Sequence, residues 1–181
     1  QHLELCRDIA QKFNNDYKFE NFFIVPEPLI KKEFSRIMSL KDGLKKMSKS
    51  EASDLSRINL TDNKDQIINK IKKAKTDTLP LPSTIEELEK RPEAKNLIGI
   101  YSSLMNHTLQ KSIDEFSGKN FSDFKVKLSE IIVNEINPIS LKVKELLNDK
   151  VFLEKILKDG YEKANEIASK KIKKIHEIVG F

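Results

Sequence analysis

Apolar residues recur three and four positions apart over most of the chain, and that spacing predicts helices. The first run, residues 2–14, places Leu3, Cys6, Ile9, Ala10 and Phe13 on one face, with Asn14-Asn15 as its stop. Phe22-Phe23-Ile24-Val25, closed by Pro26, is a continuous apolar run of the length a buried strand carries. From Pro26 to about Leu60 the period is lost, and Gly43 among Ser and Lys neighbours reads as a long loop. Ordered loops of that length without their own secondary structure tend to be functional.

Beyond residue 60 everything reads as helix. Thr61 or Asp62 caps a helix carrying Ile67, Ile68, Ile71 and Ala74. Pro80, Pro82 and Pro92 surround a short helix opened by the capping box Ser83-Thr84-Ile85-Glu86. Ala94, Leu97, Ile98, Tyr101, Leu104 and Met105 form the stripe of the next helix, and a shorter one ends near Gly118. Residues 121–147 keep the period through Phe124, Leu128, Ile131, Ile132, Ile136, Ile139, Val143 and Leu146, with Pro138 expected to kink or break the helix. Asn148-Asp149 caps a helix over 151–159 that Gly160 stops. The last helix turns Tyr161, Ala164, Ala168, Ile172, Ile175 and Val179 inward. The expected fold is mainly α: the C-terminal end of a Rossmann-type α/β layer, residues 1–60, followed by an all-helical bundle, residues 61–181.

Composition narrows the classes. Charged residues make up 34% and hydrophobic ones 38% of 181 residues, a polar chain that still has ten Phe for a core. No apolar run reaches membrane-spanning length. A single cysteine, Cys6, excludes an internal disulfide and fits a cytoplasmic protein, and three scattered His leave no zinc site. The first residue is Gln1 rather than Met, which fits a processed or excised piece.

The net charge of +5 is concentrated. Lys31, Lys32, Arg36, Lys41, Lys45, Lys46 and Lys49 stand against only Glu33 and Asp42, so residues 31–49 carry the whole excess. A short basic segment on a neutral body suits a polyanion partner, a nucleotide or a nucleic acid backbone; a solvated lysine-rich loop is the alternative.

Inside that segment stands Lys46-Met47-Ser48-Lys49-Ser50. With this composition, random order would produce that pentapeptide in roughly one sequence in two thousand. Two ammonium groups three residues apart on a flexible loop can reach one triphosphate and offset charge on leaving pyrophosphate. Gly43, Ser48 and Ser50 permit tight turns whose amides join the cradle. Closure of such a loop over nucleotide would gate the reaction.

The pentapeptide resembles the signature loop of class I aminoacyl-tRNA synthetases, and its surroundings resemble the tryptophanyl-tRNA synthetase family. Five segments carry that likeness in order: residues 1–10, 34–50, 56–62, 70–77 (Lys-Ile-Lys-Lys-Ala-Lys-Thr-Asp) and 91–101 (Arg-Pro-Glu-Ala-Lys-Asn-Leu-Ile-Gly-Ile-Tyr). The resemblance implies ATP-dependent activation of tryptophan and its transfer to tRNA(Trp), with Mg²⁺ carried on ATP and pyrophosphate. It implies that Lys46 and Lys49 stabilise the phosphates and that Ser48 and Ser50 shape the loop. It also implies that the main chain of Ile37 and Met47 holds the adenine, simple apolar packing being the alternative for both. In the family the C-terminal helices bind the anticodon region, which makes Lys163, Lys170, Lys171, Lys173 and Lys174 candidates for tRNA phosphate contact. A homodimer is expected of the intact enzyme.

The chain departs from the family at Asp42-Gly43-Leu44, commonly Asp-Pro-Thr, and at Glu51, commonly Asp. Gly43 is expected to loosen the loop. No His-x-Gly-His-like motif or glycine-rich turn occurs, and the tryptophan pocket lies upstream in the family. The chain therefore reads as the C-terminal half, unable to form the adenylate alone and exposing apolar surface at 3–13 and 22–25 that favours self-association. A tyrosyl-tRNA synthetase-like enzyme and a non-catalytic helical RNA-binding module remain as alternatives. Outside the loop, His2, His107 and His176 read as cap or dipole residues and Cys6 as a small core residue. Glu86, Glu87 and Glu89 read as a solvated face, and Tyr17, Tyr101 and Tyr161 as packing.

Overall fold

The computed structural model describes residues 1–29 and 36–181. Lys31, Lys32, Glu33, Phe34 and Ser35, which belong to the basic segment and to the second stretch of family likeness, lie outside the described residues. The chain divides into two compact units, Gln1–Lys31 with Val151–Phe181, and Lys32–Lys150.

The first unit holds α1 (His2–Asp16) and most of α7 (Lys150–Val179). Lys18, at a φ of 57°, reverses the chain after α1, and the Phe19 amide returns to the Asn14 carbonyl at 2.8 Å. Residues 22–25 are not a strand. The Asn14 carboxamide takes both main-chain groups of Phe23, at 2.9 and 2.8 Å, so a side chain stands where a neighbouring strand would. The apolar run goes instead into a ring cluster: Phe13 lies 5.1 Å from Phe22 and 5.0 Å from Phe23.

Neither helix of this unit has the buried stripe its spacing predicts. On α1 only Ala10 and Asn14 are buried, while Leu3, Leu5, Ile9 and Cys6 are exposed. None of the residues of α7 is buried; Tyr161 and Ile172 are exposed and Ile175 and Val179 half-buried. Gly160 does not stop α7, which runs through it for 30 residues. Its φ is not positive, and its neighbours Lys158, Glu162 and Lys163 are good helix formers that absorb the roughly 1 kcal/mol glycine penalty.

The second unit opens with a hairpin, β1 (Met38–Ser39) and β2 (Asp42–Lys46), antiparallel with Met38 opposite Lys46 and Ser39 opposite Asp42. The stretch expected as one long loop is thus partly sheet, followed by a 3-10 turn at Asp54–Ser56. Five helices follow: α2 (Lys64–Lys72), α3 (Ile85–Glu89), α4 (Pro92–Met105), α5 (Leu109–Phe116) and α6 (Phe121–Asn148). They close on a core of Ile67, Ile71, Leu88, Leu97, Ile98, Tyr101, Ile113, Phe124 and Leu128, each at most 1% exposed, with Leu40 reaching in from the hairpin.

Caps shift by a residue or two. Asn63, not Thr61 or Asp62, caps α2 in a reciprocal box with Gln66. Thr84 caps α3 by accepting the Glu87 amide, and Glu87 reaches back to the Ser83 amide, so the predicted Ser83–Glu86 pairing moves one position on. At the ends of their stripes Ile68, Leu104 and Met105 are more than a third exposed. Pro138 does not break α6. Both Pro138 and Asn134, whose carbonyl loses its partner, are exposed, where water can replace the missing bond.

Candidate functional site

The pentapeptide 46–50 leaves the end of β2. Lys46 is the last strand residue, and the Met47 amide donates to the Ile37 carbonyl at 3.0 Å. Ile37 and Met47 are therefore brought together, with one amide and one carbonyl spent on each other. The Met47 side chain packs against the core of the second unit. Lys46 and Lys49 on either side are exposed and, among the described residues, have no carboxylate partner. The Ser50 amide donates to Ser48 Oγ at 3.3 Å, and the two hydroxyls lie 2.8 Å apart, so the serines brace the turn across itself. An apolar anchor between two exposed ammonium groups gives a fixed stem and a charged tip open to an anion.

Most of what steadies this loop is remote in sequence. Asn96 Oδ1 accepts the Met38 amide at 2.9 Å, and its Nδ2 donates to the Met38 carbonyl at 2.8 Å. The Leu40 amide donates to the Ser56 carbonyl, and the Leu40 carbonyl accepts the Lys75 amide at 2.7 Å. Gly43 is buried in β2 rather than loosening a loop. A Cβ there would stand 2.6 Å from the Glu93 amide nitrogen and 2.6 Å from the Pro92 carbonyl carbon. Close passage of strand over helix is what this glycine permits.

After the motif, Arg57 holds the chain by donating to the Glu51 carbonyl at 2.9 Å and pairing with Asp54 at 3.2 Å. Lys70, only 3% exposed, pairs with Asp62 at 2.6 Å and Asp54 at 2.7 Å. The Lys70 ammonium, aided by the Asn59 amide, holds the Asp54 carboxyl below its ordinary range. Two segments of family likeness meet in a further ion pair. Arg91 grips Asp77 with two nitrogens, at 2.5 and 2.8 Å, and donates to the carbonyls of Pro80 and Leu79. That guanidinium pulls the Asp77 carboxyl down, and Lys75 at 2.8 Å does the same to Glu93. Sequence reading passed over Asn96, Arg57 and Lys70; the only signal for them is their place inside the matching segments.

The candidate tRNA lysines lie on α7 in the first unit, and the motif belongs to the second. Lys163, Lys173 and Lys174 are exposed, and Lys170 pairs with Glu166 at 3.3 Å. Lys171 differs: its ammonium sits 3.8 Å over the Phe22 ring and donates to the Phe22 carbonyl. Of the residues read as packing, Tyr101 is in the core, but its hydroxyl also donates to Glu115 at 2.8 Å; burial, with Glu115, pushes it up to about 12. Among the described residues no His, Cys, Asp or Glu group is placed to hold a metal ion, and no helix is long and apolar enough to cross a membrane.

Comparison with known proteins identifies the family. The family described as tRNA synthetases class I (W and Y) matches residues 1–136. A tryptophan–tRNA ligase of Caulobacter vibrioides is 49% identical over the whole chain, which covers 53% of that relative. One from Rickettsia felis is 51% identical, again over the whole chain and 54% of the relative. Among solved structures, tryptophanyl-tRNA synthetase from Mycoplasma pneumoniae superposes with a TM-score of 0.80 at 28% identity, over 99% of this chain and 53% of that one. The Campylobacter jejuni enzyme, complexed with ADP and tryptophan, gives a TM-score of 0.66 at 28% identity, over 99% and 54%. The chain thus spans about half the length of the curated relatives it matches.

Proposed function

Because the chain belongs to the class I tRNA synthetases of the tryptophan and tyrosine branch, we propose that it carries the signature-loop and tRNA-binding portion of a cytoplasmic tryptophan–tRNA ligase. In the reaction, the tryptophan carboxylate attacks the α-phosphorus of ATP in line, an anhydride forms, and pyrophosphate leaves with its Mg²⁺. Lys46 and Lys49 approach the β- and γ-phosphates and offset the charge that builds on the leaving group. Ser48 and Ser50 hold the turn that spaces the two ammonium groups. The main chain of Ile37 and Met47, joined by the Met47 amide and the Ile37 carbonyl, is the candidate to hold the adenine edge. Residues 1–60 form the end of the catalytic domain, and residues 61–181 form the helical tRNA-binding part. There Lys163, Lys170, Lys173 and Lys174 offer phosphate contacts. The activation step needs the part of the relatives that this chain does not cover, and the intact enzyme is a homodimer.

The observation that carries this reading is the pair of exposed lysines that, among the described residues, have no carboxylate partner, presented on a braced turn whose stem is anchored in the core. The choice of tryptophan over tyrosine rests on the names of the relatives. The test is ATP–pyrophosphate exchange by the gene product that carries this chain, with each amino acid offered separately. Exchange with tryptophan alone is expected. Exchange with tyrosine would move the assignment to the sibling enzyme, and exchange with none would leave an RNA-binding role. Alanine at Lys46 or Lys49 should lower the rate by about 10²–10³-fold, the range for removing one charge-stabilising group.

A further inference from the structure

We infer that Asn96, on the second turn of α4, is a positioning residue that sets where Lys46 and Lys49 stand. This rests on the reading of 46–50 as the ATP-handling loop. A two-stranded hairpin is marginal by itself, and here β1 has only two residues. The Ile37 carbonyl faces β2 and takes the Met47 amide, so the amide and carbonyl of Met38 face the opposite edge. Among the described residues no strand lies on that edge. The Asn96 carboxamide occupies it, accepting from one Met38 group and donating to the other at 2.9 and 2.8 Å. Among side chains only Asn and Gln present a planar donor and acceptor like those of a peptide unit, so Asn96 supplies one rung of an absent third strand.

That rung is placed to matter. Met38 is the register partner of Lys46 and the neighbour of Ile37, which holds Met47. Asn96 is 8% exposed, so its bonds are shielded from competing water. On the same helix, Pro92 and Glu93 press against Gly43, and Glu93 pairs with Lys75. The first two turns of α4 therefore form a platform to which the hairpin is fixed at Met38 and Gly43. A shift of α4 is passed to the signature lysines with no residue of α4 touching the nucleotide.

Trypsin reads this directly, because it cuts after lysine. The gene product carrying this chain would be digested as wild type, Asn96→Leu and Asn96→Asp, with cleavage after Lys163 on α7 as internal reference. Leucine removes both bonds at similar volume; aspartate keeps the acceptor for the Met38 amide and loses the donor. Loss of two shielded hydrogen bonds should raise cleavage after Lys46 and Lys49 about 5–30-fold in Asn96→Leu, with Asn96→Asp between it and wild type and the reference site unchanged. The ATP concentration that half-protects the loop should rise about tenfold in Asn96→Asp, an effect of position that lowered stability alone would not produce. Unchanged loop cleavage in both variants, or equal acceleration at every site, would overturn the proposal. Loop cleavage that rises in the variants but is insensitive to ATP in wild type would uphold the clamp and remove the nucleotide reading.

Discussion

Gly43→Ala tests the packing of hairpin on helix with a single methyl group. The added Cβ would meet three backbone atoms, the Glu93 nitrogen and the Pro92 carbonyl carbon at 2.6 Å and the Pro92 oxygen at 2.8 Å. None of these can rotate away. Restoring ordinary contact at 3.4 Å requires strand and helix to part by about 0.8 Å. A parting of that size carries the 2.9 and 2.8 Å bonds between Asn96 and Met38 beyond about 3.5 Å, where they no longer count as hydrogen bonds. Two weakened bonds at about 1 kcal/mol each, with an overpacking cost of about 1–3 kcal/mol, give an expected loss of about 3–5 kcal/mol in the second unit. The chain has no tryptophan, so urea unfolding would be followed by far-UV circular dichroism. Amide exchange resolved by segment would assign the loss to residues 38–46 and 91–98. A Gly43→Ala variant within about 0.5 kcal/mol of wild type, with unaltered exchange at Met38, would refute the reasoning.

The counterpart, Gly160→Ala in α7, meets nothing within 4 Å and should stabilise the first unit by about 0.5–1 kcal/mol, read as a higher urea midpoint with the second unit unmoved. Asp77 and Glu93 are held below their ordinary values of 3.8 and 4.5 by Arg91 and Lys75, so each contributes stability above that range and loses it as pH falls through the lowered value. Midpoints of the second unit should therefore drop below about pH 4, and Arg91→Met should remove part of that dependence together with about 1–2 kcal/mol at neutral pH, a range discounted because Asp77 is 35% exposed; a pH-flat midpoint would contradict the pairing. Lys171→Met should cost the first unit about 1 kcal/mol through its contact with Phe22 while leaving the salt slope of tRNA binding unchanged, whereas neutralising Lys173 should lower that slope by about one. A slope that falls with Lys171→Met would return that lysine to the phosphate-contacting set.

Helices α2, α4, α5 and α6 were legible because period and caps are local signals that their packing then honours. The two errors of pattern have one cause. At 22–25 an apolar run suggested a strand, but a strand requires a partner, and Asn14 takes the backbone groups that a partner would use. At 38–46 the reverse occurs: Asp42-Gly43-Leu44-Lys45-Lys46 looks like loop, yet it pairs because Asn96, 58 positions from Met38, completes the edge. No window of the sequence contains that information. α7 misled in a third way, since the period shows which residues share a face but not whether anything covers it. The signature pentapeptide was legible because its chemistry lies within five residues, while the frame of Asn96, Arg57 and Lys70 is assembled from distant ones.

The edge of β1 has a consequence for how the protein behaves in a crowd. Open strand edges are templates on which other chains can add a strand, the first step of sheet-mediated aggregation. Here the amide and carbonyl of Met38 are taken by Asn96, and those of Leu40 by Ser56 and Lys75, so that side of the hairpin offers an incoming chain nothing to bind. A loop that is open to solvent is thereby carried on a sheet closed along its β1 edge.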